Sequence, residues 1–330
     1  MKFRPLQRRA VWFPAGLLVI LALAVWINLP LGARLVDHTV FTAAQRLPPL
    51  PAFRSGQRLL LLSPHPDDET LCCAGLIQQA SAAGAEVFVT WVTPGDGFEL
   101  DGALVARQVD PTDAAMQDLA RTRMLEADRA ADRLGIPVNR RFKLGYPDGG
   151  LLPLFLEHYV TPFTSPFTSR AQVYLSGALS PGAAYTGANL ERDIGRVMTQ
   201  VNPDLVLIPA PEDQHPDHRA VSFVATRIMA ERHQVNRLRF WVVHGGLEWP
   251  LPKGLHPELP QTIPPRARKL AWQRLVLTPA QQALKLKAIT GYSTQTALLS
   301  RFMLAFDRRT ELFAPSPDVG QVARSSAPRP

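Results

Sequence analysis

Residues 59–74 read LLLLSPHPDDETLCCA. The opening residues are an apolar run suited to a strand buried on both faces. His65, Asp67, Asp68 and Glu69 then arrive almost together, followed by small and apolar side chains that begin a helix. Ionisable groups crowded at the exit of a buried strand are costly unless something pairs or coordinates them. In an α/β sheet, the carboxyl end of a strand is where such groups serve a ligand.

A second stretch is built the same way. Residues 204–209 (DLVLIP) are another buried-strand run, and APEDQHPDH follows, carrying His215 and His218. His65 and Asp68 are spaced i, i+3, as are His215 and His218, so a single turn can aim each pair at one ion. Imidazole and carboxylate suit zinc, although iron or cobalt also takes such ligands. The two loops together offer more than the three protein ligands that a catalytic zinc needs beside its water. We therefore assign His65, Asp68 and His218 to a single metal ion per chain. Asp67 then sits beside the metal-bound water as general base. His215 faces the other side of a substrate carbonyl, as an imidazolium that stabilises the oxyanion and protonates the departing amine. Such a set suits amide hydrolysis. Pro66 and Pro216 stiffen the two turns. His38, His233 and His256 have no comparable context, and His158 and His244 stay open as residues lining the cleft.

The intervening chain alternates strand and helix. Helix is expected over 69–83, strand over 86–92, a tight loop at TPGDG (93–97), and a polar loop insertion over 98–115. A helix over 117–134 stops at Gly135, and a short strand over 141–144 leads into GYPDGG. Helices over 189–201, 219–232 and 279–290, strands over 204–209 and 239–243, and a last helix over 302–313 complete the pattern. This predicts an α/β fold: one catalytic domain over 58–313 with a Rossmann-like, mostly parallel sheet and helices on both faces. Residues 151–187 lack periodicity and are expected to cover one side of the active-site mouth. Their aromatics, with Phe98, either line a glycan cleft or tether the segment by apolar packing. Residues 247–268 are proline-rich and expected to be peripheral.

The amino end has membrane-targeting character. Basic residues 2, 4, 8 and 9 precede residues 10–31, an uncharged span of about 22 residues where about 20 cross a bilayer. This predicts a cytoplasmic segment (1–9), an uncleaved transmembrane helix (10–31), a tether (32–57) and a disordered tail (314–330). The expected location is the inner membrane of a bacterium, single-pass, with the catalytic domain periplasmic; the alternative is secretion after signal cleavage. The net charge of +8 fits a surface near anionic lipid or acidic glycan, and no nucleic-acid signature accompanies it. Cys72 and Cys73 are adjacent, a spacing where disulfide geometry is hard to meet, so two buried free thiols are expected.

The motif His-Pro-Asp-Asp-Glu after the first strand, followed later by His-Pro-Asp-His, resembles the PIG-L/LmbE-like N-acetylglucosaminyl deacetylase family. The resemblance implies zinc on His65, Asp68 and His218, Asp67 as base and His215 as oxyanion or acid partner. It agrees with the assignment above, and the division among the carboxylates leans on it. Softer matches are the loop at 93–97, Arg123 and Glu126 in a helix ending Leu134-Gly135, residues 144–149, residues 292–295 and residues 309–313. They imply Arg123, Asp96 and Asp148 as substrate-binding residues. The implied activity is zinc-dependent removal of the N-acetyl group from a GlcNAc-containing substrate: a lipid-linked sugar, an envelope glycan or a small conjugate. Another metal-dependent amidase on this scaffold, or a non-catalytic carbohydrate-binding protein, are the competing readings.

Overall fold

A computed structural model describes residues 41–98, 111–246 and 249–317. Its centre is a sheet of seven strands: β1 (Arg58–Ser63), β2 (Glu86–Trp91), β3 (Arg141–Lys143), β4 (Leu205–Pro209), β5 (Leu238–Trp241), β6 (Gln273–Val276) and β7 (Thr310–Pro315). They lie in the order β3-β2-β1-β4-β5-β7-β6. The first five are mutually parallel, and β7 runs antiparallel to both β5 and β6. The leucines of β1 are fully buried, as a central strand covered on both faces requires.

Helices cover both faces. On one lie α1 (Asp68–Ala82), α2 (Asp113–Arg133), α6 (Pro279–Ile289) and α7 (Ser293–Leu304), which pack on one another. On the other are α3 (Leu151–Leu156), α4 (Gly187–Val201) and α5 (Pro216–Glu231). Thr112 caps α2, and a Thr278/Gln281 capping box starts α6. The chain leaves β1 towards β2 on one side and enters β4 on the other. The order therefore reverses between β1 and β4, and the crevice outside their carboxyl ends is where such sheets bind ligands. Both His-Pro loops open into it.

Several expectations need correction. Residues 302–313 do not form one helix: α7 starts nine residues earlier, at Ser293, and Thr310–Pro315 is strand β7. Five of the six β7 residues are buried, so the polar/apolar alternation that marks a half-exposed strand is missing. Strand β6 was not expected either. Residues 151–187 contain helix α3 and a Gln172–Ala184 bridge rather than only irregular chain. The end of the expected tether is seated on the sheet edge, where Leu50 N donates to Arg274 O and Arg274 N to Pro48 O. Cys72 and Cys73 are buried as expected, but they are joined in a disulfide within α1 rather than being two free thiols.

The single-pass inner-membrane placement is also corrected. Among the described residues, no helix is long and apolar enough to cross a membrane. The expected span at 10–31 lies outside the described residues, as do residues 318–330 of the expected tail. The placement therefore has no structural support.

Candidate active site

Each His-Pro loop becomes the start of a helix. Asp67 is the N-cap of α1 and Asp68 its first residue; His215 is the N-cap of α5, Pro216 opens it and His218 follows within its first turn. Proline is tolerated there because the N–H it lacks has no intrahelical partner. Two helix starts thus face each other across β1 and β4, and the motif spacing places one carboxylate and one imidazole on the same point.

That point is well defined. His65 Nδ1 and Asp68 Oδ2 are 3.2 Å apart, Asp68 Oδ2 and His218 Nε2 3.1 Å, and His218 Nε2 and His65 Nδ1 3.2 Å. Three donors of a tetrahedral zinc at about 2.0–2.1 Å would be about 3.3 Å from one another. The triangle fits such an ion, and its donor set is the one zinc favours.

Carboxylates stand behind both imidazoles. Asp213 Oδ2 lies 3.3 Å from His218 Nδ1. His65 Nε2 lies 3.1 Å from Asp148 Oδ1 and 3.3 Å from Asp217 Oδ2. Carboxylates at the far ring nitrogen fix a ligand histidine's tautomer and orientation. Asp213 is itself held by Val243 N, His244 N and His215 N, and Asp217 by Gly149 N and Leu151 N. The sequence assigned a role to neither aspartate, although Asp217 is the carboxylate of the His-Pro-Asp-His motif and Asp213 lies two residues before it begins.

The electrostatics follow from burial and these pairings. Burial opposes charge on His218, but Asp68 and Asp213 outweigh it and raise its pKa to about 9. Burial likewise opposes charge on His65, and Asp148, Asp217 and Asp68 together hold it well above the ordinary imidazole value. Burial would raise Asp68, yet His218 and His65 keep it well below the usual carboxylate range. Asp67 goes the other way: burial, then the Asp68 charge, push it well up. Its backbone is in the left-handed region, φ 128°, which an aspartate adopts only when its surroundings enforce it. Its side chain makes no cap bond and lines the cavity.

His215 differs from expectation. Burial, followed by the His65 and His218 charges, lowers its pKa to about 4, so the resting group is a neutral imidazole rather than an imidazolium. Its Nδ1 accepts from Asp217 N at 3.2 Å, which leaves the proton on Nε2.

The cavity in front of these groups has a volume of about 240 Å³. His65, Asp67, Asp68, Asp148, His215 and His244 line its polar end with Arg123, which is 4% exposed. Arg123 donates to Gly95 O at 2.9 Å and Pro66 O at 3.3 Å, and lies 3.8 Å from both Asp67 and Asp148. Asp96 does not reach the cavity. It is fully buried, accepts from Asp148 N and from the Tyr174 hydroxyl, and therefore supports the Asp148 loop from behind. Of the aromatics considered for a glycan cleft, only Phe98 lines the cavity; Phe155 packs on Phe223 and Tyr174 holds Asp96. Residues 151–187 thus support the floor of the site. His158 packs on Phe163, outside the cavity.

Glu69 is not a ligand. Its carboxylate accepts from the hydroxyls of Tyr292, Thr70 and Ser63 and from Trp91 Nε1. It ties α1 to β1, β2 and the start of α7. Glu126 of α2 accepts from Ser293 and Thr294, fixing the same helix start. Those bonds place Gln295 in the cavity wall.

Comparison with known proteins agrees with this layout. The family model for PIG-L, GlcNAc-PI de-N-acetylase, matches residues 60–229, from β1 into α5. The chain belongs to the PIG-L family. Among curated proteins it is similar to 1D-myo-inositol 2-acetamido-2-deoxy-alpha-D-glucopyranoside deacetylases. That of Rhodococcus erythropolis is 27% identical over 181 residues, 52% of each chain. That of Nakamurella multipartita is 29% identical over 219 residues, 62% of this chain and 61% of the relative. The chain thus spans between half and two thirds of the length of these relatives. Two solved structures share the fold. A deacetylase of the teicoplanin biosynthetic pathway has a TM-score of 0.51 at 21% identity, covering 79% of this chain and all of its own. The A40926 pseudoaglycone deacetylase has a TM-score of 0.50 at 19% identity, covering 79% of this chain and 97% of its own.

Proposed function

We propose that this PIG-L family member is a zinc-dependent hydrolase that removes the N-acetyl group from a GlcNAc-containing glycolipid, glycan or conjugate. The observation that carries the reading is the triangle of His65 Nδ1, Asp68 Oδ2 and His218 Nε2, with edges of 3.1–3.2 Å, at the topological switch point and beside the raised carboxyl of Asp67. His65, Asp68 and His218 would hold the ion. When bound, zinc lowers the pKa of a water and polarises the amide carbonyl.

The remaining steps belong to the chain. Asp67 accepts the proton of the attacking water as the new C–O bond forms, then returns it to the nitrogen as the C–N bond breaks, giving acetate and the free amine. Its raised pKa suits a group that must gain and then lose a proton. The His215 Nε2–H donates to the developing oxyanion without being charged beforehand. Arg123 and Asp148 take sugar hydroxyls at the polar end of the pocket. Asp96 acts one step back, by holding Asp148.

The test is acetate release from a panel of GlcNAc glycolipids, oligosaccharides and small conjugates, together with metal content. We expect Asp67→Asn to keep zinc and lose at least about a hundredfold in rate, as removal of a general base does. We expect His218→Ala to lose zinc. Wild-type rates in both variants would refute the assignment.

A further inference from the structure

The cavity has two unlike ends. The end beside the metal triangle is polar, and it holds two buried side-chain atoms with no protein partner. Arg123 Nε is one; the other is Oε1 of Gln295, a residue 1% exposed whose Nε2 is already spent on Thr294. Both residues line the cavity, and a guanidinium and an amide are groups that pair with sugar hydroxyls, which donate and accept.

The other end is apolar. Leu299, Phe302 and Met303 of α7 line it together with Leu71 of α1 and Val243 after β5. Gln295 and Leu299 are spaced i, i+4, with Phe302 and Met303 a turn further, so one face of α7 passes from polar to apolar along the cavity. Helical dihedrals lapse at Leu299, where φ is −106° and ψ 19°. Leu298 and Leu299 remain 45% and 38% exposed at the rim. Phe302 stacks on His244 with centroids 5.9 Å apart and planes at 12°, and His244 lies 5.1 Å from His215. The apolar wall therefore begins one ring away from the proposed oxyanion donor. A sugar seated against Arg123 and Gln295 would reach it with its next substituent.

We infer that the α7 wall is an aglycone subsite, and that the substrate is an acetamido sugar bearing an apolar alkyl or aryl aglycone rather than a polyol. A polyol such as inositol would lose hydration against Leu299, Phe302 and Met303 with no polar group to replace it. An alkyl chain would gain instead, by about 0.8 kcal/mol for each methylene fully buried, or about fourfold in affinity. The inference rests on the deacetylase reading above and narrows its substrate.

The experiment uses the zinc-loaded full chain and a homologous series of 2-acetamido-2-deoxyglucosides: methyl, butyl, hexyl, octyl, phenyl and inositol. Two readouts are taken, acetate release and calorimetric binding, the latter with Asp67→Asn so that the sugars survive. We expect kcat/KM and affinity to rise two- to fourfold per methylene up to the hexyl or octyl member, with the inositol glycoside near or below the methyl. We expect Leu299→Asp, a rim position that tolerates polarity, to abolish the dependence on chain length. Acetate release or binding that is flat along the series, or highest for inositol, overturns the subsite. Chain-length-dependent binding without acetate release from any member would uphold the subsite and sink the deacetylase reading, so the two fail separately.

Discussion

Asp213 is the residue on which the geometry of His218 depends. His218 is fully buried, and its Nδ1 faces Asp213 while its Nε2 faces the metal triangle. When the ring gives up one proton to the metal, the Asp213 charge beside Nδ1 favours keeping the other there, which frees the Nε2 lone pair for coordination. Asp213→Asn keeps the volume but lets the amide present either a donor or an acceptor to the ring. Zinc affinity, measured by competition with a chromogenic chelator, should fall about 10- to 100-fold, as losses at such outer partners do. Unchanged affinity would mean that the backbone N–H groups of 243 and 244, and not the ring, are what Asp213 serves. No sequence pattern could have revealed this role, because it requires knowing that the loop after β4 folds back beneath the helix it precedes. The clustering of His65, Asp68 and His218 was legible for the opposite reason. His65 and Asp68 are close in sequence, as are His215 and His218, so local spacing restricts where each pair points. Asp96 shows the limit of the family resemblance: residues 93–97 suggest only a tight loop, the resemblance implies substrate contact for Asp96, and the carboxylate turns inward to Asp148 N and Tyr174.

At the scale of elements, α1 carries both the chemistry and an insertion that bears on its path. Lys285 of α6 donates to Leu71 O at 2.8 Å, and Glu311 of β7 accepts from Gly75 N at 2.8 Å and Leu76 N at 2.9 Å. Leu71 O and Gly75 N are the two ends of one helical turn, so a buried ion pair is wedged against the backbone a turn beyond Asp68. Lys285 and Glu311 are 2.8 Å apart and almost wholly buried. Gly75 is required there, since a Cβ would lie 2.6 Å from Leu277 Cγ. Lys285→Met leaves Glu311 charged and unpaired in the interior, and should destabilise the protein by about 3–5 kcal/mol in chemical denaturation. The Lys285→Met/Glu311→Met double variant removes both charges and lets the N–H groups return to the helix. It should lose clearly less than the single. An equal or larger loss in the double variant would show that Glu311 matters for its hydrogen bonds to α1 rather than for its charge partner. Strands β1, β2 and β4 were legible because each is an apolar run next to a turn signal. Strands β6 and β7 were not: β6 is a four-residue edge strand, and β7, lying between β5 and β6, is held by pairing to both rather than by any pattern of its own.

Over the whole molecule, the four clustered imidazoles set opposing pH limbs for the metal-free protein. His218, raised to about 9, and His65, also raised, bind protons more tightly folded than unfolded. Their contribution is complete below about pH 6.5, the unfolded value, and is lost as pH rises through the folded value. His215 and His244, lowered by burial to about 4 and about 3, act in the other direction. Unfolded, they take up protons below about pH 6.5 while the folded forms resist, so stability falls as pH drops towards 4. Asp213, lowered to about 2 because its histidine and backbone partners outweigh burial, adds a further loss below about pH 4. The imidazoles thus favour a thermal midpoint highest near pH 6–6.5 in the metal-free protein, with a decline on the alkaline side and an acid limb made shallower between about pH 4 and 6 by Asp96 and Asp307, whose carboxyls burial raises to about 6. Zinc must displace the protons from His65 and His218, so it binds better as pH rises and should convert the alkaline decline into a plateau or a rise. Thermal unfolding from pH 4 to 9.5, with chelator and with zinc, tests both halves. Alkaline limbs that run parallel with and without zinc would mean that the metal does not displace the protons of the two imidazoles, and that the donors holding it lie elsewhere.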